Sequence, residues 1–465
     1  MKLPASLMKS LADVKGFDRE AFENVHQSAE QVTSIRVNPF KTSMVNADPI
    51  TIGWPIKDLI PNSPTPNSRT PWCNTGLYLS SRPSFTFDPL FHAGCYYVQE
   101  ASSMFLEQAL KQTVDLSQPL KVLDLCAAPG GKSTHILSLI SQDSLLVSNE
   151  VIRSRANILN DNITKWGCSN VVVTNNDPKD FQRVKNYFDV IVIDAPCSGS
   201  GLFRREPEAI EEWSEQNVML CCERQQRILA DALPALKENG VLIYSTCSYS
   251  KEEDEDIAQW LNTELRINNE ELKIDPAWNI TETDGGYRFW PDKLKGEGFF
   301  LSCFRKQQGD DNEIALPKLK PEKFSKQEME ILSSYISDSK IAFAKNGKII
   351  HAAPGQLLAD INFLSTKLRI VDHGIKVGEI IRDKLIPEHS LAMSNILHNE
   401  ISRVELNYEQ AIQYLKKKDP GVQTDKRGWS LVSYHGHELG WVNILPNRIN
   451  NYYPKELRIL KDQNS

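Results

Sequence analysis

Apolar residues fall in two rhythms along the chain. Between residues 106 and 306, short apolar runs rich in β-branched residues alternate with longer stretches in which apolar positions recur every three or four residues. The short runs are Leu120–Leu125, Ser144–Asn149, Asn170–Thr174, Phe188–Ile193 and Gly240–Thr246. Between them lie the helical patterns KSTHILSLI, RSRANILNDNITKWG and the long run from Ser214 to Lys237. Near-continuous apolar runs are the signature of strands buried on both faces. Strand–helix alternation therefore predicts an α/β protein with a doubly wound, mainly parallel sheet. A helix over EEDEDIAQWLN and a late strand within Gly296–Lys306 extend the pattern to a sheet edge.

On either side the rhythm changes. Residues 1 to about 60 read as helices followed by an extended SIRVNPFKTS, where Arg36, Asn38 and Lys41 form a small polar and basic cluster. That cluster fits an RNA-facing surface and a solvated strand edge equally well. From Trp72 to Tyr97 the strand-like pieces GLYLSS, FTFDP and CYYVQ alternate with Pro, Gly and Asn, which predicts a small β-containing unit. Gln99–Met104 then opens a helix, with Ser102 and Ser103 near its start. Gln307–Lys323 is polar, proline-bearing and aperiodic, and reads as a boundary. Residues 324–400 look like a small mixed unit. Residues 401–465 look separable, with short strands at glycine turns and several exposed-looking aromatics. The expected domains are 1–105, 106–308, 309–400 and 401–465.

Composition narrows the classes. A chain of 465 residues with 40% hydrophobic and 24% charged residues is an ordinary multidomain globular protein. The N-terminus lacks the apolar core of a signal peptide, and no run is long enough to cross a bilayer. The nine cysteines, with no Cys-x-x-Cys pair, point to reduced thiols in the cytoplasm and to no metal site. A net charge of −7 argues against a generally basic nucleic-acid binder. It leaves room for a local basic face, and residues 400–465 carry a slight excess of Lys and Arg.

The chemistry sits where the predicted strands end. The strand at 120–125 runs into Cys126, Ala127, Ala128, Pro129, Gly130, Gly131 and Lys132, a turn that lets backbone approach a ligand closely. Cys126 stands where a phosphate-binding P-loop needs glycine, and a GxGxxG dinucleotide fingerprint is absent. What remains is a nucleoside-binding turn of the methyltransferase kind. Glu150 ends the second strand, where an acid accepts hydrogen bonds from ribose hydroxyls, and Asp177 follows the third, within reach of an adenine amino group. The fourth strand leads into Asp194-Ala195-Pro196-Cys197 and the fifth into Thr246-Cys247. Two cysteines at neighbouring strand ends face one cleft. A thiolate adds readily to an electron-poor carbon, and an adjacent acid such as Asp194 can hydrogen-bond a heterocycle nitrogen. The set suits covalent chemistry on a pyrimidine, with addition at C6 activating C5. The residues alone do not rank the two cysteines.

The motifs LDLCAAPGGKST, DAPCSGSG, STCSYS and PDKLKGEGFFLSCF, in that order over residues 30–306, resemble the RNA 5-methylcytosine methyltransferases. The resemblance implies a Rossmann-like class I methyltransferase fold with S-adenosyl-L-methionine as cofactor. It assigns Cys247 as nucleophile, Cys197 as the base that assists release, and Asp194 as facing the target base.

 As that family's cofactor contacts it carries over Cys126–Lys132 (Cys126, Ala127, Ala128, Pro129, Gly130, Gly131, Lys132), Glu150, Asp177 and Asp194. One departure is Pro291-Asp292, where the family commonly has Pro-His.

The C-terminal third narrows the resemblance. Gly428-Trp429, Leu439-Gly440-Trp441 and Asn450–Arg458 resemble the PUA-like tail of the family's bacterial small-subunit rRNA branch, and Ile386–Met393 fits the linker before that tail. This implies an RNA-binding N-terminal α+β domain (1–105), a methyltransferase domain (106–308), a linker domain (309–400) and a PUA-like RNA-binding domain (401–465). The implied substrate is a cytosine of 16S rRNA within the 30S subunit, acted on by a cytoplasmic monomer with no DNA or membrane partner. Another RNA target (tRNA or 23S rRNA) and a non-catalytic ribosome-assembly factor are the alternatives. A DNA cytosine methyltransferase would carry a large DNA-reading insertion, which the chain lacks.

Overall fold

The computed structural model describes residues 3–28, 31–42, 68–307, 316 and 322–461. The expected boundary at 307–323 lies almost wholly outside the described residues. At the centre is a ten-stranded sheet. Its five middle strands run Leu236–Thr246, Phe188–Asp194, Lys121–Asp124, Leu145–Asn149 and Val171–Thr174 across the sheet, all parallel. Phe299–Arg305 pairs antiparallel with Leu236–Thr246 and Gly286–Phe289 continues that edge, which gives the predicted doubly wound, mainly parallel α/β sheet. Val122, Leu123, Val147, Val172 and Val190 are fully buried, as continuous apolar strands require when helices cover both faces. Strand order reverses between Lys121–Asp124 and Phe188–Asp194, so the loops after these two strands border the crevice in which such sheets bind ligands. At the far edge Ile370–His373, from the segment after the boundary, pairs antiparallel with Val171–Thr174.

Local chemistry sets the helix ends. Ser214 accepts a hydrogen bond from Asn217 N and caps Glu215–Ala232. That helix stops before the expected Lys237 because Pro234 cannot continue it. A short 3₁₀ turn, Leu233–Ala235, intervenes, and the next strand starts at Leu236, ahead of Gly240. FTFDP is a second departure: Phe85–Phe87 is a 3₁₀ turn, not a strand. Asp88 accepts from Leu90 N and caps the helix Pro89–His92, so the Asp-Pro pair acts as a helix start.

The N-terminal unit carries a three-stranded sheet ordered Gly76–Leu79, Thr33–Val37, Tyr96–Val98. Both readings of its basic cluster are corrected here, because Arg36 and Asn38 are fully buried. The Arg36 guanidinium donates to Gln99 Oε1 (2.8 Å), Ser138 Oγ (3.1 Å), Gly131 O (3.3 Å) and Thr134 Oγ1 (2.5 Å), and lies over the Trp166 ring. Lys41 Nζ donates to the Ala93 and Lys165 carbonyls. These cations bolt the small sheet to the large one.

Two four-stranded sheets follow, one over Ile341–Pro387 and one over Arg403–Asn451. The aromatics of the last segment are mostly core: Trp441 and Tyr453 are 1% exposed, whereas Tyr452 is 40% exposed. Rings of this size stabilise most when buried, and the Trp441 indole N–H finds a partner in Glu388 O. Val432, Leu439, Val442 and Tyr414 share one apolar cluster with Ile35, Leu77 and Tyr96, so the last sheet packs on the N-terminal unit. Among the described residues no helix is long and apolar enough to cross a membrane.

Candidate active site

The site is built by the loops that leave two neighbouring parallel strands. Asp194 ends one strand and pairs in register with Ser245 on the other. Ala195 N donates to Ser245 O, and Ser245 Oγ donates to Asp194 Oδ1 at 2.8 Å. These bonds hold the two strand ends level, so Cys197 and Cys247 emerge side by side. Their sulfurs are 3.1 Å apart, both free thiols and both half-buried. The Cys197 thiol is raised well above its ordinary value, first by its contact with Cys247 and then by burial. Where these loops cross, Gly201 N donates to Cys247 O and Gly298 N to Gly201 O. A Cβ on Gly201 would lie 2.5 Å from Gly298 O and 2.8 Å from Cys247 O, so only glycine allows this approach.

Beneath the cysteines lies a buried acidic cluster. Glu253 accepts from Ser198 N (2.8 Å), Ser198 Oγ (2.5 Å), Ser248 Oγ (2.6 Å) and Gln225 Nε2 (3.2 Å). One carboxylate thus ties together the residue after Cys197 and the residue after Cys247. Burial raises its pKa, which those four donors oppose. Asp254 accepts from Thr246 Oγ1, and Arg288 joins Asp254 at 3.1 Å and Glu255 through two bonds of 2.5 and 2.6 Å. The start of the expected acidic helix is therefore the floor of the site. Arg288, on the strand next to the sheet's edge, supplies the countercharge that makes burying these acids tolerable.

The turn at 126–132 is held from behind. Arg155 donates to Ala128 O, Asn162 to Pro129 O and Arg36 to Gly131 O, while Ala127 N donates to Asn149 O. Gly130, at φ +115°, caps the helix Gly131–Leu137 in a conformation that suits glycine. Lys132 Nζ lies 2.7 Å from Asp194 Oδ2, which links this turn to the cysteine loops. Glu150 is buried at the tip of its strand, with Oε1 accepting from Ile152 N and Arg155 3.5 Å from Oε2. Asp177, half-buried, caps the turn Pro178–Val184 by accepting from Lys179 N. Asp124, absent from the sequence expectation, is fully buried between these groups with Oδ1 unpartnered, and burial pushes its carboxyl up to about 7. The acceptors gathered here (Glu150, Asp177 and the orphaned Asp124 oxygen) match a ligand that offers hydroxyl and amino donors. S-adenosylmethionine has that donor set, so the residues fit it.

Residues 111–305 match the family model of the 16S rRNA methyltransferase RsmB/F. Residues 3–101 match the N-terminal domain of 16S rRNA methyltransferase RsmF, and 402–459 match the methyltransferase RsmF PUA domain. Ribosomal RNA small subunit methyltransferase F of Shewanella halifaxensis is 31% identical over 459 residues, with 91% of each chain covered. The chain belongs to the ribosomal RNA small subunit methyltransferase F family. The Psychromonas ingrahamii protein of that name is likewise 31% identical, over 85% of each chain. Among solved structures, PH0851 is 25% identical with a TM-score of 0.56, covering 65% of this chain and 66% of its own. NSun6 from Pyrococcus horikoshii with SFG has a TM-score of 0.54 and covers 66% of this chain and 99% of its own. At 20% identity that second likeness speaks for the fold alone. Membership in the small subunit methyltransferase F family makes the chain an S-adenosylmethionine-dependent methyltransferase of small-subunit rRNA.

Within this family member the structure brings Cys197, Cys247, Asp194 and Lys132 into one cluster and sets Glu150 and Asp177 at the next two strand ends. Asp292, at the departure from the family pattern, sits half-buried in the turn after Trp290, and Trp290 stacks on Tyr249 of the Thr-Cys motif. Sequence reasoning missed Asp124, Glu253, Asp254 and Arg288. The available signal was position: Glu253 and Asp254 follow Cys247 so closely that their backbone cannot leave the site.

Proposed function

We propose that the chain methylates C5 of one cytosine in 16S rRNA through a covalent bond between Cys247 Sγ and cytosine C6. The observation that carries this reading is the 3.1 Å approach of two thiols beside the Asp194–Lys132 pair. Cys126–Lys132, Glu150, Asp177 and Asp194 would hold S-adenosylmethionine, which when bound supplies an electrophilic methyl group. Asp194, paired with Lys132 and Ser245, offers acceptor oxygens to the cytosine amino edge and fixes the base over the cysteines. The Cys247 thiolate forms the S–C6 bond, and the C5–C6 π pair moves onto C5, where the methyl group is received. Cys197 keeps its proton while Cys247 is the thiolate, since that contact heads the causes of its raised pKa. Once the Cys247 sulfur is consumed in the adduct, that leading cause is gone while burial still opposes ionisation, and the step requires Cys197 to release its proton to solvent. It then takes the C5 proton; the C5–C6 double bond re-forms and Cys247 leaves as thiolate. A cytosine must leave its stack to reach this cleft. The reading extends to the four domains at 1–105, 106–308, 309–400 and 401–465, to a cytoplasmic monomer, and to the 30S subunit as substrate.

The test uses small ribosomal subunits and labelled S-adenosylmethionine. Cys197→Ala is expected to accumulate a labelled protein–RNA species that survives denaturing electrophoresis and disappears in the Cys197/Cys247 double variant. A band in Cys247→Ala instead would reverse the two roles. Transfer of label from the unmutated protein to another RNA, with none to small subunits, would overturn the 16S assignment.

A further inference from the structure

A cavity of about 250 Å³ opens between the N-terminal sheet and the helix Arg153–Trp166. Phe85, Phe91 and Tyr97 are half-exposed along its wall, with Phe85 and Phe91 rings 6.3 Å apart. Three cations line the same space: Arg82 lies over Phe85 at 5.5 Å, Lys165 over Phe91 at 4.6 Å, and Arg205 completes the set. Among the described residues no carboxylate lines it. Two other cavities contrast with it, one carrying Asp143 and Asp338, the other Asp13, Asp256 and Asp284. Asp161, one turn back on the helix of Lys165, is the acid that acts on that ammonium, while burial lowers it to about 8. The volume is below the ~300–1,000 Å³ of a drug-sized ligand site, which suits a single base.

The cavity adjoins the active site through its walls. The Tyr97 ring lies 3.3 Å from where a Cβ on Gly131 would stand, and Asn162, also in the lining, donates to Pro129 O. Arg205 follows Arg204, which faces Glu297 at 3.6 Å in the loop that meets Gly201.

We propose that this cavity binds one unpaired nucleotide of the substrate RNA beside the target cytosine, its base stacked on Phe85, Phe91 and Tyr97 and its phosphates on Arg82, Lys165 and Arg205. Aromatic faces accept any base, and cations placed over them track the backbone, which is how single-stranded RNA is held without sequence readout. The site rests on the RNA-methyltransferase reading and adds to it a gripping point outside the catalytic cleft.

The test measures binding of the full-length protein to 16S rRNA across a salt series, together with photocrosslinking of 4-thiouridine-substituted 16S rRNA. The Arg82→Ala/Arg205→Ala variant is expected to raise Kd about tenfold or more and to lower the salt slope by roughly 1.5, as two phosphate contacts predict. Phe85→Leu is expected to raise Kd about fivefold with the slope unchanged, since stacking releases no counterions. Crosslinks in the parent should fall within residues 85–98, and S-adenosylmethionine affinity should stay at the parent value in all variants. Parental Kd and slope in every variant would overturn the inference while leaving methyl transfer standing. Weakened binding in a chain whose Cys197→Ala form traps no adduct would support the cavity and sink the covalent chemistry. A parent that binds no 16S rRNA would overturn both.

Discussion

Replacing Glu253 with alanine tests whether one buried carboxylate sets the geometry of both cysteines. Four hydrogen bonds are lost, at 2.8, 2.5, 2.6 and 3.2 Å. The consequences differ among the donors. Ser198 Oγ and Ser248 Oγ, 3.3 Å apart, can turn toward each other, and Gln225 keeps its bond to Pro196 O. Ser198 N has no such recourse, and a stranded buried donor costs ~1–3 kcal/mol. With the cavity left by the side chain, the loss of stability comes to about 3–5 kcal/mol. The effect on turnover should be separate from stability. Ser198 follows Cys197, so a released Ser198 lets that sulfur drift, and a misplacement of about 1 Å costs on the order of 100-fold in rate. That is about 2.7 kcal/mol of barrier. Single-turnover methyl transfer, run well below the variant's unfolding temperature, should show this loss with S-adenosylmethionine Kd within about twofold of the parent. Glu252→Ala, at the half-exposed neighbouring position, serves as the control and should be silent. A folded Glu253→Ala protein turning over within about threefold of the parent would refute the positioning argument.

Two further outcomes follow from buried charges. Burial raises the Asp124 carboxyl to about 7 from 3.8, so between about pH 4 and 7 the unfolded chain binds fewer protons there than the fold does. Stability contributed by this neutral carboxyl is therefore present at acid pH and is lost as pH rises to about 7. Asp124→Asn should be more stable than the parent at pH 8 by about 2–4 kcal/mol, with the gap closing toward pH 4; a gap independent of pH in urea titrations would count against it. Arg36→Lys keeps the charge but loses the fork that reaches Gln99, Ser138, Gly131 and Thr134. It should cost about 2–4 kcal/mol in denaturant titrations and weaken S-adenosylmethionine binding, because Gly131 O loses its brace. Unchanged cofactor affinity would show that the turn holds its shape without Arg36.

The parallel strands were legible because burial on both faces leaves a local mark. Val171–Val173 must all be apolar, and nothing distant is needed to read them. The meeting of Cys197 and Cys247 was legible for a related reason. Once their strands are neighbours and parallel, ends that share a register carry their loops to one place. Buried charges leave no such mark. Arg36 reads as a surface residue until Thr134, ninety-eight positions away, is known to accept from it. The run Glu253-Asp254-Glu255 reads only as part of an acidic helix until Arg288 is placed against it, and Arg288 arrives on a strand next to the sheet's edge, thirty-three positions after Glu255.

The same reasoning explains why these charges gather around the site. An apolar floor would have left the Ser198 N–H and the Thr246 hydroxyl without acceptors, so the two cysteine loops could settle in several arrangements. A buried carboxylate admits few, because each of its oxygens must find donors to offset desolvation. Glu253 and Asp254 thus convert a desolvation cost into positional precision for two sulfurs 3.1 Å apart. Arg288 keeps that cost from unfolding the floor by meeting Asp254 and Glu255 together. Arg36 does the equivalent work on the cofactor side, where it reaches the turn from the N-terminal sheet. Chemistry at the strand ends therefore depends on residues whose partners lie far along the chain, and it is at those partners that the fold and the reaction are coupled.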